Sequence, residues 1–310
     1  MRCLSLLACI PLLLASCGGG DGPMSTADTR TAPPAQAFGA SVNAPPVPAG
    51  GAQLSPPPTV TSASPAPKAP LNRAAVDQPD DIQGSQVHVI YAIPGGGVDR
   101  AMDLGDGLAN SSASYNSWLA GQTGGRRLRF DTYQGNLDVT FARLPKTDAD
   151  YDAFGNRKRD SIEADLAQLG MLEPNKIYAV YYDGNNVNTC ADAPHPPGFQ
   201  GQVAVLYLRG AVPGYKPCHE NAFAASPDAP PGYLDFTMLH ELLHTLGAVD
   251  DRAPNAISNG HVGTDPSDLM YAGPLVWNPT VLDFNKANYY NPNGLPNGIF
   301  NLAISSYLTP

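Results

Sequence analysis

Basic side chains are scarce in this sequence. Lysine and arginine number 18 against 28 aspartates and glutamates, a formal charge of −10. A nucleic-acid partner is therefore not expected, because phosphate backbones are held by clustered cationic side chains. The one short basic run, Arg126, Arg127 and Arg129, reads as a solvated strand edge. Long apolar runs are also missing: the N-terminal one ends at Leu14, short of the ~20 residues that a membrane-spanning helix needs. Cysteine is rare, and of the five, Cys3, Cys9 and Cys17 lie at the very start, leaving only Cys190 and Cys218 for the rest of the chain. Zinc ligation by these two thiolates is not expected, since no third or fourth cysteine is available to complete the site. No glutamate follows Glu241, and no internal repeat is visible.

What the N-terminus does contain is a targeting pattern. Residues 1–16 join one cationic residue, Arg2, to a short apolar stretch, and read as a signal peptide. Leu14, Ala15, Ser16 and Cys17, followed by three glycines, resemble the lipobox of bacterial lipoproteins. That resemblance implies acylation of Cys17 and a lipid anchor to a bacterial membrane, with the protein outside the cytoplasm, at the outer membrane or cell surface. In an oxidising compartment Cys190 and Cys218 are expected to pair, closing a loop of about 28 residues worth roughly 3 to 4 kcal/mol.

Proline (32) and glycine (31) make up about a fifth of the 310 residues, and the excess is local. Residues 17–82 are mostly Ala, Pro, Ser, Thr and Gly, too poor in large apolar side chains to offset the entropy of ordering. They read as a disordered tether. Residues 83–310 then form the folded part, long enough for one substantial core. Strands are expected at 87–93, 127–133, 137–143, 176–182 and 203–208, and helices at 111–120, 160–169 and 233–247. The turn Gln134, Gly135, Asn136 joins the second and third strands.

The helix at 233–247 reads YLDFTMLHELLHTLG, with Leu239, Leu242, Leu243 and Leu246 at helical spacing and Gly247 as its cap. His240 and His244 are four residues apart, so both imidazoles project from one face and can bind the same ion. Glu241 lies about 100° further round and can reach a water beside that ion without ligating it. This is the spacing for metal-assisted hydrolysis: the ion acidifies a water, and Glu241 acts as general base. The candidates for a third ligand are Asp250, Asp251, His261, Asp265, Asp268 and Asp283.

His240, Glu241, His244 and Gly247, taken with Met270 and Tyr271, resemble the metzincin metalloproteases. In that family a glycine follows the His-Glu-x-x-His motif, and a methionine-containing turn lies under the metal, here matched by Asp268, Leu269, Met270 and Tyr271 in the matrixin manner. The absence of glutamate after Glu241 separates the chain from thermolysin-like enzymes. The resemblance implies an α/β (α+β) fold: a twisted, mostly parallel sheet, an active-site helix and a small irregular C-terminal subdomain. It also implies one zinc ion as cofactor. Where metzincins usually place a third histidine, this sequence has Asp250, as in the snapalysin variant, while His261 precedes Met270 by nine residues, near the matrixin spacing. His261 is the preferred third ligand and Asp250 the alternative.

Other polar residues carry weaker signals. His219 and Glu220 read as loop residues, and His88 and His195 have no motif around them. Asp265 and Asp268 are expected to cap turns, and Tyr271, Tyr289 and Tyr290 to pack under the site. The expected function is a zinc endopeptidase for extracytoplasmic proteins or peptides, monomeric, with 203–208 as an edge strand that aligns an extended substrate. The alternatives are a non-catalytic surface protein with a structural zinc and a metal-dependent amidase of cell-wall peptides.

Overall fold

The computed structural model describes residues 68–212, 217–220 and 223–310. The expected signal peptide, Cys17 and most of the expected tether lie outside the described residues. In chain order the first elements are β1 (Gln86–Ile93), α1 (Gly107–Thr123), β2 (Thr132–Tyr133), β3 (Asn136–Leu137), β4 (Val139–Arg143), α2 (Asp148–Asp152) and α3 (Lys158–Gln168). They are followed by β5 (Lys176–Tyr182), β6 (Ala191–Asp192), β7 (Val203–Tyr207), α4 (Tyr233–Leu246), β8 (Ala256–Ile257) and β9 (His261–Val262).

β1 is buried along its whole length because it is central: it pairs in parallel with β4 on one side and β5 on the other. Its side chains alternate between two cores, as the period of a strand requires. Val87, Val89, Tyr91 and Ile93 join the core that holds Leu239, Leu242 and Leu243 of α4, while Ile90 and Ala92 join the one that holds Ile162 and Leu166 of α3. Helices on both faces explain why β1, β5 and β7 read as continuous apolar runs. The sheet order is β4-β1-β5-β7-β6, parallel except for β6. This is the expected mostly parallel α/β sheet. No helix among the described residues is long and apolar enough to cross a membrane.

Three sequence expectations need correction. The strand at 203–208 is not an edge: β7 is flanked by β5 and by β6, so the edge on that side is Ala191–Asp192. A two-residue strand is too short to show in a period-two pattern. The folded part also begins earlier than residue 83. Lys68 and Ala74 accept backbone hydrogen bonds from Leu137 and Phe141, covering the open flank of β4. Polar contacts fasten this segment: Arg73 pairs with Asp99 and Asp103, and Asp77 and Asp80 pair with Lys176. Such anchors leave no trace in composition, because each is a single charged residue in a segment poor in apolar side chains. Finally, Arg126 and Arg127 are half-buried and grip the C-terminus, with Arg126 Nε donating to the Thr309 carbonyl at 2.7 Å.

Asp183 follows β5 and is fully buried. It accepts from Arg100 (Nη2, 2.6 Å), Arg209 (Nε, 2.7 Å) and the Tyr91 hydroxyl (2.7 Å). Burial opposes ionisation, but these hydrogen bonds outweigh it and hold the carboxyl below its ordinary value of 3.8. A depressed folded-state value means stability that is present above the unfolded value and lost as pH falls through the folded one. Asp183→Asn should therefore cost about 3 kcal/mol at neutral pH. In urea melts the deficit should shrink as pH falls below the unfolded aspartate value of about 3.9, and a pH-independent deficit would contradict this assignment.

Cys190 and Cys218 form a disulfide, 28 residues apart, with Cα atoms at 5.6 Å. It ties the loop after β5 to the 3-10 turn Cys218–Glu220. Replacing both cysteines by serine should lower the unfolding free energy by about 3 to 4 kcal/mol. A chemical melt unchanged by the replacement would refute that contribution.

Candidate metal centre

α4 is the element that positions the site. Leu239, Leu242 and Leu243 face the sheet, and the helix stops at Gly247, whose φ of 101° is left-handed and whose N–H closes on the His244 carbonyl. The chain then returns through β8 and β9, which brings His261 back to the helix. His240, His244 and His261 are 5%, 4% and 1% exposed. Their Nε2 atoms form a near-equilateral triangle: His240 to His244 3.0 Å, His240 to His261 3.3 Å, and His244 to His261 2.9 Å.

The other ring nitrogens explain this orientation. His240 Nδ1 donates to the Leu269 carbonyl at 2.7 Å, His244 Nδ1 to Ala248 at 3.0 Å, and His261 Nδ1 to Ser258 at 3.1 Å. With the proton on Nδ1, a neutral imidazole presents its lone pair at Nε2. Burial keeps the rings neutral: it pushes His240 down to about 4 and holds His244 and His261 well below the ordinary value. Three lone pairs converging on one point repel each other, but they fit a divalent cation. Zinc bound at 2.0–2.1 Å in a tetrahedral set separates its ligand nitrogens by about 3.3 Å, close to the spacing seen. The three histidines are thus a group that could hold a metal.

Glu241 is buried beside them, 4% exposed. Burial raises its carboxyl well above the ordinary value; the charge of Asp192 on the edge strand adds to the shift and Arg159 opposes it. Such a carboxyl is a stronger base than one in water.

The segment around Met270 braces the centre. Leu269 supplies the carbonyl that orients His240, and the Trp277 indole donates to the same carbonyl at 3.1 Å. Asp268 caps the turn by accepting from the backbone of Met270 (2.8 Å) and Phe284 (2.7 Å) and from the Tyr289 hydroxyl (2.9 Å). Backbone bonds from Val262 to Met270 and from Ala272 to Val262 strap the turn to the strand that carries His261. Met270, Tyr271, Tyr289 and Tyr290 are all buried. The Tyr271 hydroxyl accepts from the Leu275 backbone at 2.9 Å, and the Tyr290 hydroxyl donates to the Thr123 carbonyl at 3.1 Å.

Asp250 stands outside the histidine group. Its carboxylate is bidentate with Arg252, at 2.7 Å to both Nε and Nη2. Asp265 caps its own turn through Ser267. His195, which carried no motif, packs edge-on against His244 with ring centroids at 5.7 Å, and its Nε2 bonds the Val249 carbonyl at 2.9 Å. A Cβ on Gly260 would come within 2.6 Å of the His195 ring and displace it, and the left-handed φ of 75° there also favours glycine. Nothing in a proline-rich loop signals such a contact.

No family model and no curated protein matches this sequence. Among solved structures, the chain is similar to wild-type OgpA from Akkermansia muciniphila at 16% identity and a TM-score of 0.32, over 59% of this chain and 52% of that one. It is also similar to catalytically inactive OgpA from the same organism in complex with an O-glycopeptide substrate, at 14% identity and a TM-score of 0.31, with the same coverage. The chain spans about half the length of each.

Proposed function

We propose that this protein is a zinc-dependent endopeptidase of the metzincin type that acts on extracytoplasmic proteins or peptides. The observation that carries the reading is the convergence of the three Nε2 atoms at 2.9 to 3.3 Å, each ring fixed from behind by a backbone carbonyl. His240, His244 and His261 are the proposed ligands of one Zn²⁺, and the turn at Met270 and Tyr271 is the proposed support beneath it. A zinc ion held by three protein ligands supplies Lewis acidity, polarising the scissile carbonyl and acidifying a water.

The remaining work falls to the chain itself. Glu241 takes a proton from the attacking water and returns it to the amine nitrogen as the peptide bond breaks, leaving one new carboxyl and one new amine. Glu241 is buried beside the three histidines, where a bound cation would favour its carboxylate form, the form that accepts a proton. The edge strand Ala191–Asp192 is the proposed line along which an extended substrate pairs, replacing the interior strand expected from sequence. We further propose a monomer anchored through Cys17 by lipid outside the cytoplasm.

The test is cleavage of casein and of a peptide library by the purified full-length chain. Prolonged dialysis against a chelator should abolish cleavage, and zinc should restore it. Cleavage that survives complete metal removal would overturn the reading.

A further inference from the structure

A second cluster of ligating side chains is buried at the N-terminal ends of the parallel strands. His88 lies in β1, Asp131 precedes β2, Asp138 precedes β4, and Asp77 comes from the segment that covers the β4 flank. Their ligand atoms all lie within 4.8 Å of one another. His88, Asp131 and Asp138 are 1%, 0% and 4% exposed.

Charge does not balance within this cluster. Asp77, Asp80 and Asp131 share the Lys176 ammonium, at 2.6, 2.7 and 2.7 Å. Asp138 adds a fourth carboxyl, whose Oδ2 accepts the Gln78 N–H at 2.7 Å. Lys176 takes only the Oδ2 atoms of Asp77 and Asp131. The Oδ1 atom of each is buried and has no hydrogen-bond partner. Bare carboxylate oxygens inside a protein are costly and rare unless a cation meets them.

His88 completes the donor set. Its Nε2 is 2.8 Å from Thr140 Oγ1, and its Nδ1 lies 2.7 Å from Asp131 Oδ2 and 3.7 Å from Asp77 Oδ1. With its proton on Nε2, donated to Thr140, the ring offers its Nδ1 lone pair to an ion; with its proton on Nδ1 it donates to Asp131 instead.

We propose that Asp77, His88, Asp131 and Asp138 form a second divalent-cation site, separate from the three histidines, that fastens the segment before β1 to the sheet. Several carboxylate oxygens with one imidazole suit Mn²⁺ or Zn²⁺ better than Ca²⁺, which prefers an all-oxygen cage. The site is structural: it joins the covering segment to three strands and holds no residue of the proposed hydrolytic machinery.

The experiment uses the full-length chain carrying His240→Ala and His244→Ala, stripped with chelator and then titrated with Mn²⁺ alone and with Zn²⁺ alone. Elemental analysis after gel filtration should give one ion per chain in this variant and two in the wild type, and the thermal midpoint of the variant should rise with added Mn²⁺. Adding Asp131→Asn should remove the ion. Should that variant fail to fold, Asp138→Asn should weaken Mn²⁺ binding at least tenfold while the far-UV spectrum stays unchanged. A double-histidine variant that binds no ion, with a thermal midpoint indifferent to Mn²⁺ and Zn²⁺, would overturn the proposal and leave His88 as a hydrogen-bond partner of Asp131 and Thr140 alone. Because the histidine centre is removed, the result stands whether or not the peptidase reading does.

Discussion

Glu241→Gln is expected to lower peptide cleavage by roughly 10² to 10⁴-fold, the usual contribution of a positioned general base, while the metal content stays unchanged. The substitution keeps the size and shape of the side chain but removes its ability to accept a proton. The three Nε2 atoms and the carbonyls behind them do not depend on Glu241, so the centre should keep its ion. Stability should not fall either, because burial already works against the charged form of this carboxyl, and a neutral amide carries no such penalty. Turnover, metal content and thermal midpoint measured on the same preparations separate the possibilities. Equal turnover in both proteins would remove the catalytic role of Glu241, and a fall in metal content would give it a structural one.

A comparison of His261→Ala with Asp250→Ala should give the second large difference. His261 offers one of three converging lone pairs, so its loss should cost metal affinity by more than the 10 to 100-fold typical of changes behind the ligands, and cleavage should go with it. Asp250 is engaged with Arg252, whose side chain is 63% exposed, so its removal should cost at most ~1 kcal/mol of stability and leave metal and turnover in place. The reverse outcome, with metal kept by the His261 variant and lost by the Asp250 variant, would move the third ligand to the aspartate.

The parts of the site that a sequence makes legible are those set by local periodicity. Two histidines one turn apart on an apolar helix, the glycine that ends it and the glutamate between them all follow from a spacing of 3.6 residues. The strands at 86–93 and 176–182 were readable because both are buried on two faces and leave uninterrupted apolar runs. The disulfide followed from there being only two cysteines to pair.

Sequence alone does not decide between His261 and Asp250, because the third ligand's place depends on how the chain returns after Gly247. That return is made by turns and by the short β8–β9 pair, and backbone bonds such as Val249 to Gly260 fix it without any pattern of side chains. The true edge strand is hidden for a similar reason, since Ala191–Asp192 is paired by position in the sheet and not by composition. The segment covering β4 looked like tether because its anchors are Arg73, Asp77 and Asp80, single charged residues whose partners Asp103 and Lys176 lie 30 to 99 residues away. His195 and His88 carry no sequence signal on the same grounds, because tertiary structure alone brings each to its neighbours.

The most direct measurement is a crystal of the full-length protein grown with zinc and examined for anomalous scattering at the zinc edge. The account predicts a peak about 2.0–2.1 Å from the Nε2 atoms of His240, His244 and His261 together. A crystal in which the three rings diverge, or in which zinc binds His240 and His244 with Asp250 in place of His261, would contradict it.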